Sequence, residues 1–240
     1  LDEQGQEKNR KSMTTSKHTL GTFEEALASL RNNVLMMAGL TERSLERAMK
    51  GLFERNDNFC ASTIADDEEI DQLEKQMDKD GVDILLRFQP VASDLRRVIS
   101  AMKLSPNIER VGDQATSIAK RARKLNRHPP LPEVQLIVPI QEHAMSMFKD
   151  SINAFAREDV ELARAVVGRD KQLDDMNRFA NRQLTERMMQ DRDQLRGYLN
   201  LILISRCLER VGDHATNIAE DAVYAAAAED IRHQTLAASA

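Results

Sequence analysis

A chain of 240 residues, 41% hydrophobic and 30% charged, has enough apolar material for one large domain or two small ones. Aromatic residues make up 4%, Trp is absent, and Gly and Pro number nine and six, which argues against a strand-rich fold and for an all-α protein. A net charge of −5 argues against general nucleic-acid binding, and no apolar run approaches the roughly 18 residues of a membrane-spanning helix.

Residues 1–21 are polar, with little to bury and no apolar signal-like core, and are expected to be disordered. A first helix is expected from Thr22, a candidate N-cap followed by Glu24 and Glu25. Its apolar positions, from Phe23 and Leu27 to Met49 and Leu52, keep a helical period for more than 30 residues. Arg55 to Asn58 should end it. A second helix runs to Arg87 through Ile64, Ile70, Leu73 and Met77, and Pro90 marks the next break. A third starts near Ser93 and passes through Pro106 with a kink, because the apolar phase resumes at once.

Residues 127–132, rich in proline, form the clearest linker. The pattern then repeats. Helices are expected at about 133–157, bent at its start by Pro139, then at 159–190 and 191–228, with a frayed tail over 229–240. Short connections force antiparallel neighbours. The expected architecture is therefore a tandem duplication of an antiparallel three-helix bundle, the first over 22–126 and the second over 133–228. Cys60 and Cys207 lack metal or redox spacing and lie among apolar neighbours, so they are expected as buried free thiols in a reducing cytoplasm. The basic residues Lys120, Arg121, Arg123, Lys124 and Arg127 crowd the end of the third helix, where cations complement the helix dipole.

The duplication is explicit in one stretch. Glu109-Arg-Val-Gly-Asp113-Gln-Ala-Thr-Ser-Ile-Ala119 returns as Glu209-Arg-Val-Gly-Asp213-His-Ala-Thr-Asn-Ile-Ala219, with nine of eleven positions identical at an offset of 100 residues. On a helix, each Glu and Asp share a face one turn apart, and Gly112 and Gly212 sit at its edge. Glycine there suggests close approach of another backbone or a ligand. The second helix carries a matching stripe, Asp67, Asp71, Glu74 and Asp78, and the fifth carries Asp170, Asp174, Asn177 and Asn181 at an offset of 103.

Counting helix rise from each hairpin puts Asp67 and Glu109 at nearly one height, and likewise Asp170 and Glu209. Four or more carboxylates then converge in each half. They form either solvated faces paired with Arg110, Arg206 and Arg210, or cation sites. Close carboxylates raise one another's pKa unless a cation compensates. Oxygen-only ligands suit Mg²⁺, Ca²⁺, Mn²⁺ or iron better than a structural Zn²⁺ site. Four stripes, duplicated and at matching heights, favour the cation sites. The stripes lack the Glu-x-x-His of di-iron enzymes, and His214 points away from Asp213, so an oxygen-activating enzyme is disfavoured.

Two three-helix halves, each closing on Glu-Arg-Val-Gly-Asp-x-Ala-Thr-x-Ile-Ala, with Gln89-Pro-Val-Ala-Ser-Asp-Leu-Arg96 opening the third helix, resemble the PhoU family over roughly residues 23–224. That resemblance implies a non-enzymatic, cytoplasmic negative regulator of phosphate uptake and phosphate-starvation signalling. Its implied partners are the ATPase subunit of a phosphate ABC transporter and a phosphate-sensing histidine kinase, with the membrane reached through those partners. A homodimer is expected. The resemblance also implies metal ions (iron, manganese, magnesium or zinc) at Asp67, Asp71, Glu109, Asp113, Asp170, Asp174, Glu209 and Asp213. All eight are acidic here. Asn177 and Asn181 replace the acids of the first half, so the second cluster is expected to hold fewer or weaker ions. Rival readings are a carboxylate-bridged metal enzyme or metal store, and a metal-free helical scaffold.

Overall fold

The computed structural model describes residues 3–232, with side chains from residue 21 onward. Six long helices follow one another: α1 (Glu3–Phe53), α2 (Asp57–Phe88), α3 (Ala92–Leu125), α4 (Val138–Arg157), α5 (Val160–Gln190) and α6 (Leu195–Ala227). A short 3₁₀ helix over Pro132–Ile137 precedes α4. The described residues contain no strand. α1, α2 and α3 pack on one another, α4, α5 and α6 do the same, and α3 against α6 joins the halves.

The corners repeat as closely as the motif does. Asn56 caps α2 by accepting from the Asn58 amide at 3.0 Å, and Asp159 caps α5 by accepting from the Leu162 amide at 3.0 Å. The residues before them, Arg55 and Glu158, both adopt left-handed backbone, with φ of 53° and 54°. Leu30, Val34, Met37 and Leu45 of α1 meet Ile70 and Met77 of α2 and Leu104, Ile108 and Val111 of α3 in the buried core. Each such side chain contributes about 1.5–3 kcal/mol when fully buried. Met49, Met77 and Met147 are buried, and Met102 and Met176 pack partly buried against the core. Cys60 and Cys207 are free and buried, and burial raises both thiol pKa values, that of Cys60 to about 11.

Several expected boundaries move. α1 begins at Glu3, so the segment 1–21, expected to lack structure, is helical from its third residue, and Thr22 lies inside the helix. The stretch contains no proline and many Gln, Glu, Lys and Arg residues, which are good helix formers. Leu1 and Asp2 lie outside the described residues, as do 233–240 of the expected frayed tail. The described part of that tail is docked: Ile231 is 4% exposed and Arg164 pairs with Glu229. α3 is N-capped by Val91 without a side-chain bond, so Ser93 falls in its first turn instead of capping it. Pro106 sits within continuous α3. The fourth helix is split by the 3₁₀ turn, with Pro139 in the first turn of α4, where its missing N–H has no helical partner to lose. The last helix starts at Leu195, not 191, because Asp191 accepts from the Gln194 amide at 3.3 Å and holds a turn.

α3 and α6 run antiparallel. Lys103, early in α3, pairs with Asp221, late in α6, at 3.3 Å and lies over the Tyr224 ring at 5.3 Å. At the crossing, Asn107 Oδ1 accepts from His214 Nδ1 at 3.1 Å and from Asn217 Nδ2 at 3.2 Å. The linker is pinned to the α1–α2 corner, where Arg55 donates to Asn126 O at 2.9 Å and Asn126 donates to Asp57 at 2.8 Å.

Two glycines in long helices carry opposite expectations. A Cβ on Gly168 would meet nothing within 4 Å, whereas one on Gly212 would lie 2.1 Å from Leu173 Cδ2. Gly168→Ala should raise unfolding free energy by about 1 kcal/mol through helix propensity. Gly212→Ala should lower it by about 1 kcal/mol, overpacking outweighing the same propensity gain. Urea denaturation of both variants checks the two signs.

Candidate metal centre

In each half the carboxylate stripes face each other across one helix pair. Gly112 lets α2 close on α3: a Cβ there would sit 3.1 Å from Ile70 Cδ1. Gly212 does the same for Leu173 of α5. The close neighbour at these glycines is therefore an aliphatic side chain, not the backbone or ligand expected from the sequence. Ile70 and Leu173 each stand one position from the acids of their own helix, so the same packing step that seats them sets the height of the stripes.

The register is read from two matching hydrogen bonds. Thr116 Oγ1 donates to Asp67 Oδ1 at 3.0 Å, and Thr216 Oγ1 donates to Asp170 Oδ1 at 3.3 Å. Asp67 therefore lies opposite Thr116 and near Asp113, while Glu109 lies further along, beside Asp71 and Glu74. Height counting had placed Asp67 level with Glu109. Side chains tilt toward the N-terminus of their own helix. In an antiparallel pair the two tilts oppose, so contacts form between residues whose Cα atoms are not level. The second half follows suit: Asp213 neighbours Asp170, Glu209 and Asp174, and Glu209 neighbours Asp174 and Asp170.

All eight expected residues thus sit in two groups of four, one per half, and Glu74 joins the first as a fifth acid. Thr116, Thr216 and Asn177 are further members that were not singled out as site residues. The threonines were legible as invariant positions of the duplicated motif, while the role of Asn177 depends on contacts. Asn177 is buried and its Nδ2 donates to Glu209 Oε2. His214 turns to Asn107 at the crossing of the halves. Among the described residues, no three His, Cys, Asp or Glu side chains converge closely enough to hold an ion in this arrangement.

Electrostatics separate a solvated face from a strained one. On a solvated face paired with arginines, carboxyl pKa values stay low. Here they rise. Burial, then Asp113, Glu74 and Asp71, push Glu109 up to about 7, against the opposing pull of Arg110. Burial, then Asp170, Glu209 and Asp174, push Asp213 up to about 6. Burial is also the first cause of the raised values of Asp67, Glu74, Asp170 and Glu209. Arg110 approaches Glu109 at 3.5 Å and Asp113 at 3.6 Å but is 62% exposed, and such a pair is worth at most about 1 kcal/mol. Arg206 and Arg210 act on Glu209 through space. The arginines therefore under-compensate both groups. Oxygen-only donors are of the type that hard cations take, but as the side chains stand among the described residues no three of them converge on one point.

The burial of Glu109, with the acids around it, has a signed consequence. The Glu109 carboxyl pKa rises from 4.5 to about 7 in the folded protein, so the folded state binds the proton more tightly. That stabilisation is complete below about pH 4.5 and is lost as pH rises through about 7. With chelator present, Glu109→Gln should match wild type near pH 4.5 and exceed it in stability at pH 8. Thermal unfolding across this range checks it, and a constant difference between the two proteins would contradict it.

A family description of the PhoU domain matches residues 34–122 and again 137–222, one match per half. The phosphate-specific transport system accessory protein PhoU homolog of Pseudomonas putida is 38% identical over 229 residues, 95% of this chain and 89% of that protein. The phosphate-specific transport system accessory protein PhoU of Escherichia coli strain K12 is 31% identical, over 92% of each chain. The crystal structure of PhoU from Pseudomonas aeruginosa superposes with a TM-score of 0.84 at 36% identity, covering 86% of this chain and 100% of that one.

Proposed function

The chain belongs to the PhoU family, and on that premise we propose that it is a negative regulator of phosphate uptake and phosphate-starvation signalling. It works without catalysis, as a cytoplasmic adaptor between the ATPase subunit of a phosphate ABC transporter and a phosphate-sensing histidine kinase. No helix among the described residues is long and apolar enough to cross a membrane, so contact with the membrane runs through those partners. The working unit is a homodimer. The observation that carries the reading is the match of 95% of this chain to a relative named an accessory protein of phosphate-specific transport.

The stripes serve this role as cation sites. Asp67, Asp71, Glu109 and Asp113 hold metal in the first half, and Asp170, Asp174, Glu209 and Asp213 in the second, with iron, manganese, magnesium or zinc as the candidate ions. A cation offsets the burial, and then the repulsion, that lift Glu109 and Asp213, and so stiffens the α2–α3 and α5–α6 pairs on which the halves rest. Thr116 and Thr216 hold the first aspartate of each group against the opposing helix. The supporting observation is the raised carboxyl pKa values beside under-compensating arginines. A metal-enzyme reading draws no support from His214, which is engaged by Asn107 away from the stripes.

Two experiments test the two parts. The protein, purified without a histidine tag, should carry metal by elemental analysis, and ion present at about 100 times its Kd should stabilise the fold by about 2.7 kcal/mol. The paired variants Glu109→Ala/Asp113→Ala and Glu209→Ala/Asp213→Ala should each lose part of that content and shift. Unchanged content in both would remove the metal sites. Separately, deleting the gene should switch on phosphate-starvation genes in high phosphate, and continued repression would overturn the regulatory role.

A further inference from the structure

Away from the stripes, the junction of the halves leaves a cavity of about 230 Å³. α1 and α3 supply one wall, and the α4–α5 corner and α6 the other. On α3 it opens at Arg97 and Ala101, and Ala101 stands about 12 Å of helix rise before Glu109, so the cavity is separate from the carboxylate groups. It exists because small side chains meet where these elements converge: Ala101 and Ala222, both buried, face it from α3 and α6 and fill little of the space. Protein interiors hold few voids larger than a water molecule, and one with apolar and charged walls together suits a small organic ligand.

One face of α1 sets the character of the cavity. Glu24, Leu27, Ala28 and Arg31 all line it, so two apolar side chains lie between an acid and a base about 10.5 Å apart along the axis. Arg31 donates to the Ala156 carbonyl, one of the oxygens that the end of α4 leaves without a helical partner. Among the described residues, neither Arg31 nor Glu24 takes part in an ion pair. The other two charged residues of the lining, Arg97 and Glu158, pair with each other at 3.2 Å. The cavity therefore offers one unneutralised carboxylate and one unneutralised guanidinium with spare N–H donors, on either side of an apolar floor.

We propose that this cavity binds an α-amino acid with an apolar side chain. The ligand carboxylate pairs with Arg31, its ammonium with Glu24, and its side chain lies on Leu27 between Ala101, Ala222 and Phe155. A plain anion would meet Glu24 and Glu158 as well as the arginines, and a plain amine would meet the arginines, whereas a zwitterion answers both charges. Because both halves line the cavity, a bound molecule stabilises their packing on each other at the α4–α5 corner. The proposal stands apart from the cation reading of the stripes.

The test is calorimetric titration of the full-length protein with L-leucine, beside two molecules of the same shape that each lack one charge: 4-methylpentanoate, without the ammonium, and 3-methylbutylamine, without the carboxylate. Leucine should bind and raise the melting temperature, and each analogue should bind about tenfold or more weakly, having lost a charge-assisted contact. Glu24→Gln, at an exposed position, should weaken leucine about tenfold and leave 4-methylpentanoate unchanged. Arg31→Gln should weaken both. Arg31 also holds the end of α4, so Glu24→Gln carries the test if Arg31→Gln does not fold. Ala225→Leu, which fills the cavity from a half-buried position, should abolish leucine binding. No binding of L-leucine, L-methionine or L-phenylalanine at millimolar concentration would overturn the proposal. Equal affinity for leucine and 4-methylpentanoate, or tighter binding of inorganic phosphate, would make the cavity a plain anion site and overturn it as well. Leucine binding untouched by both Glu24→Gln and Ala225→Leu would place the site elsewhere. None of these outcomes alters the metal content or the repression of phosphate-starvation genes, so the cation and regulatory readings stand or fall separately.

Discussion

Close packing within two helix pairs governs this molecule. α2 settles on α3 at Gly112 because Ile70 needs the space a Cβ would take, and α5 settles on α6 at Gly212 for Leu173. These contacts bury apolar surface, and the favourable term grows with that area. Their by-product is electrostatic. The acids that flank the apolar positions come together across each pair, partly stripped of water and within reach of one another's charge. Apolar packing here is strong enough to impose a local repulsion that the carboxylates alone would relieve by separating.

How that repulsion is handled differs between the halves. In the first, it is met by Arg110, an exposed cation, and by the Thr116 hydroxyl on Asp67. In the second, Thr216 repeats the hydroxyl contact, and a buried amide network through Asn177, Asn181 and Ser205 meets Glu209. A neutral amide N–H satisfies a carboxylate without neutralising it, so it lowers the local demand for a cation while leaving the charge in place. The two halves thus have one backbone plan and two electrostatic answers.

The join between the halves ties these groups into one body. α3 and α6 carry the duplicated motif and also form the central contact, so Asn107, His214 and Asn217 meet between the two acidic groups. Burial lowers the His214 pKa first, and Arg110 and Arg210 lower it further. Asp113 of the first acidic group opposes them and raises it, so that group lies within electrostatic reach of the seam.

Much of this was open to reading from residues alone. The 3.6-residue apolar period, the scarcity of Gly and Pro, and the repeated Glu-Arg-Val-Gly-Asp stretch sufficed for six helices in two matching halves, because helix formation and burial act on local pattern. The acids of each stripe were legible for the same reason, as a spacing on one helix face. Boundaries set by competing local bonds were not: Val91 in place of Ser93 as cap, Asp191 holding a turn, the 3₁₀ step before α4, and the early start of α1. Residue types at the stripes, including the exchange of Glu74 for Asn177, are properties of the chain as written. Which acid faces which, the aliphatic side chain behind each glycine, and the direction in which Asn177 points were decided by tertiary packing. Those depend on opposed side-chain tilts across antiparallel helices and on hydrogen bonds between positions 28 to 49 residues apart, distances at which local pattern carries no information.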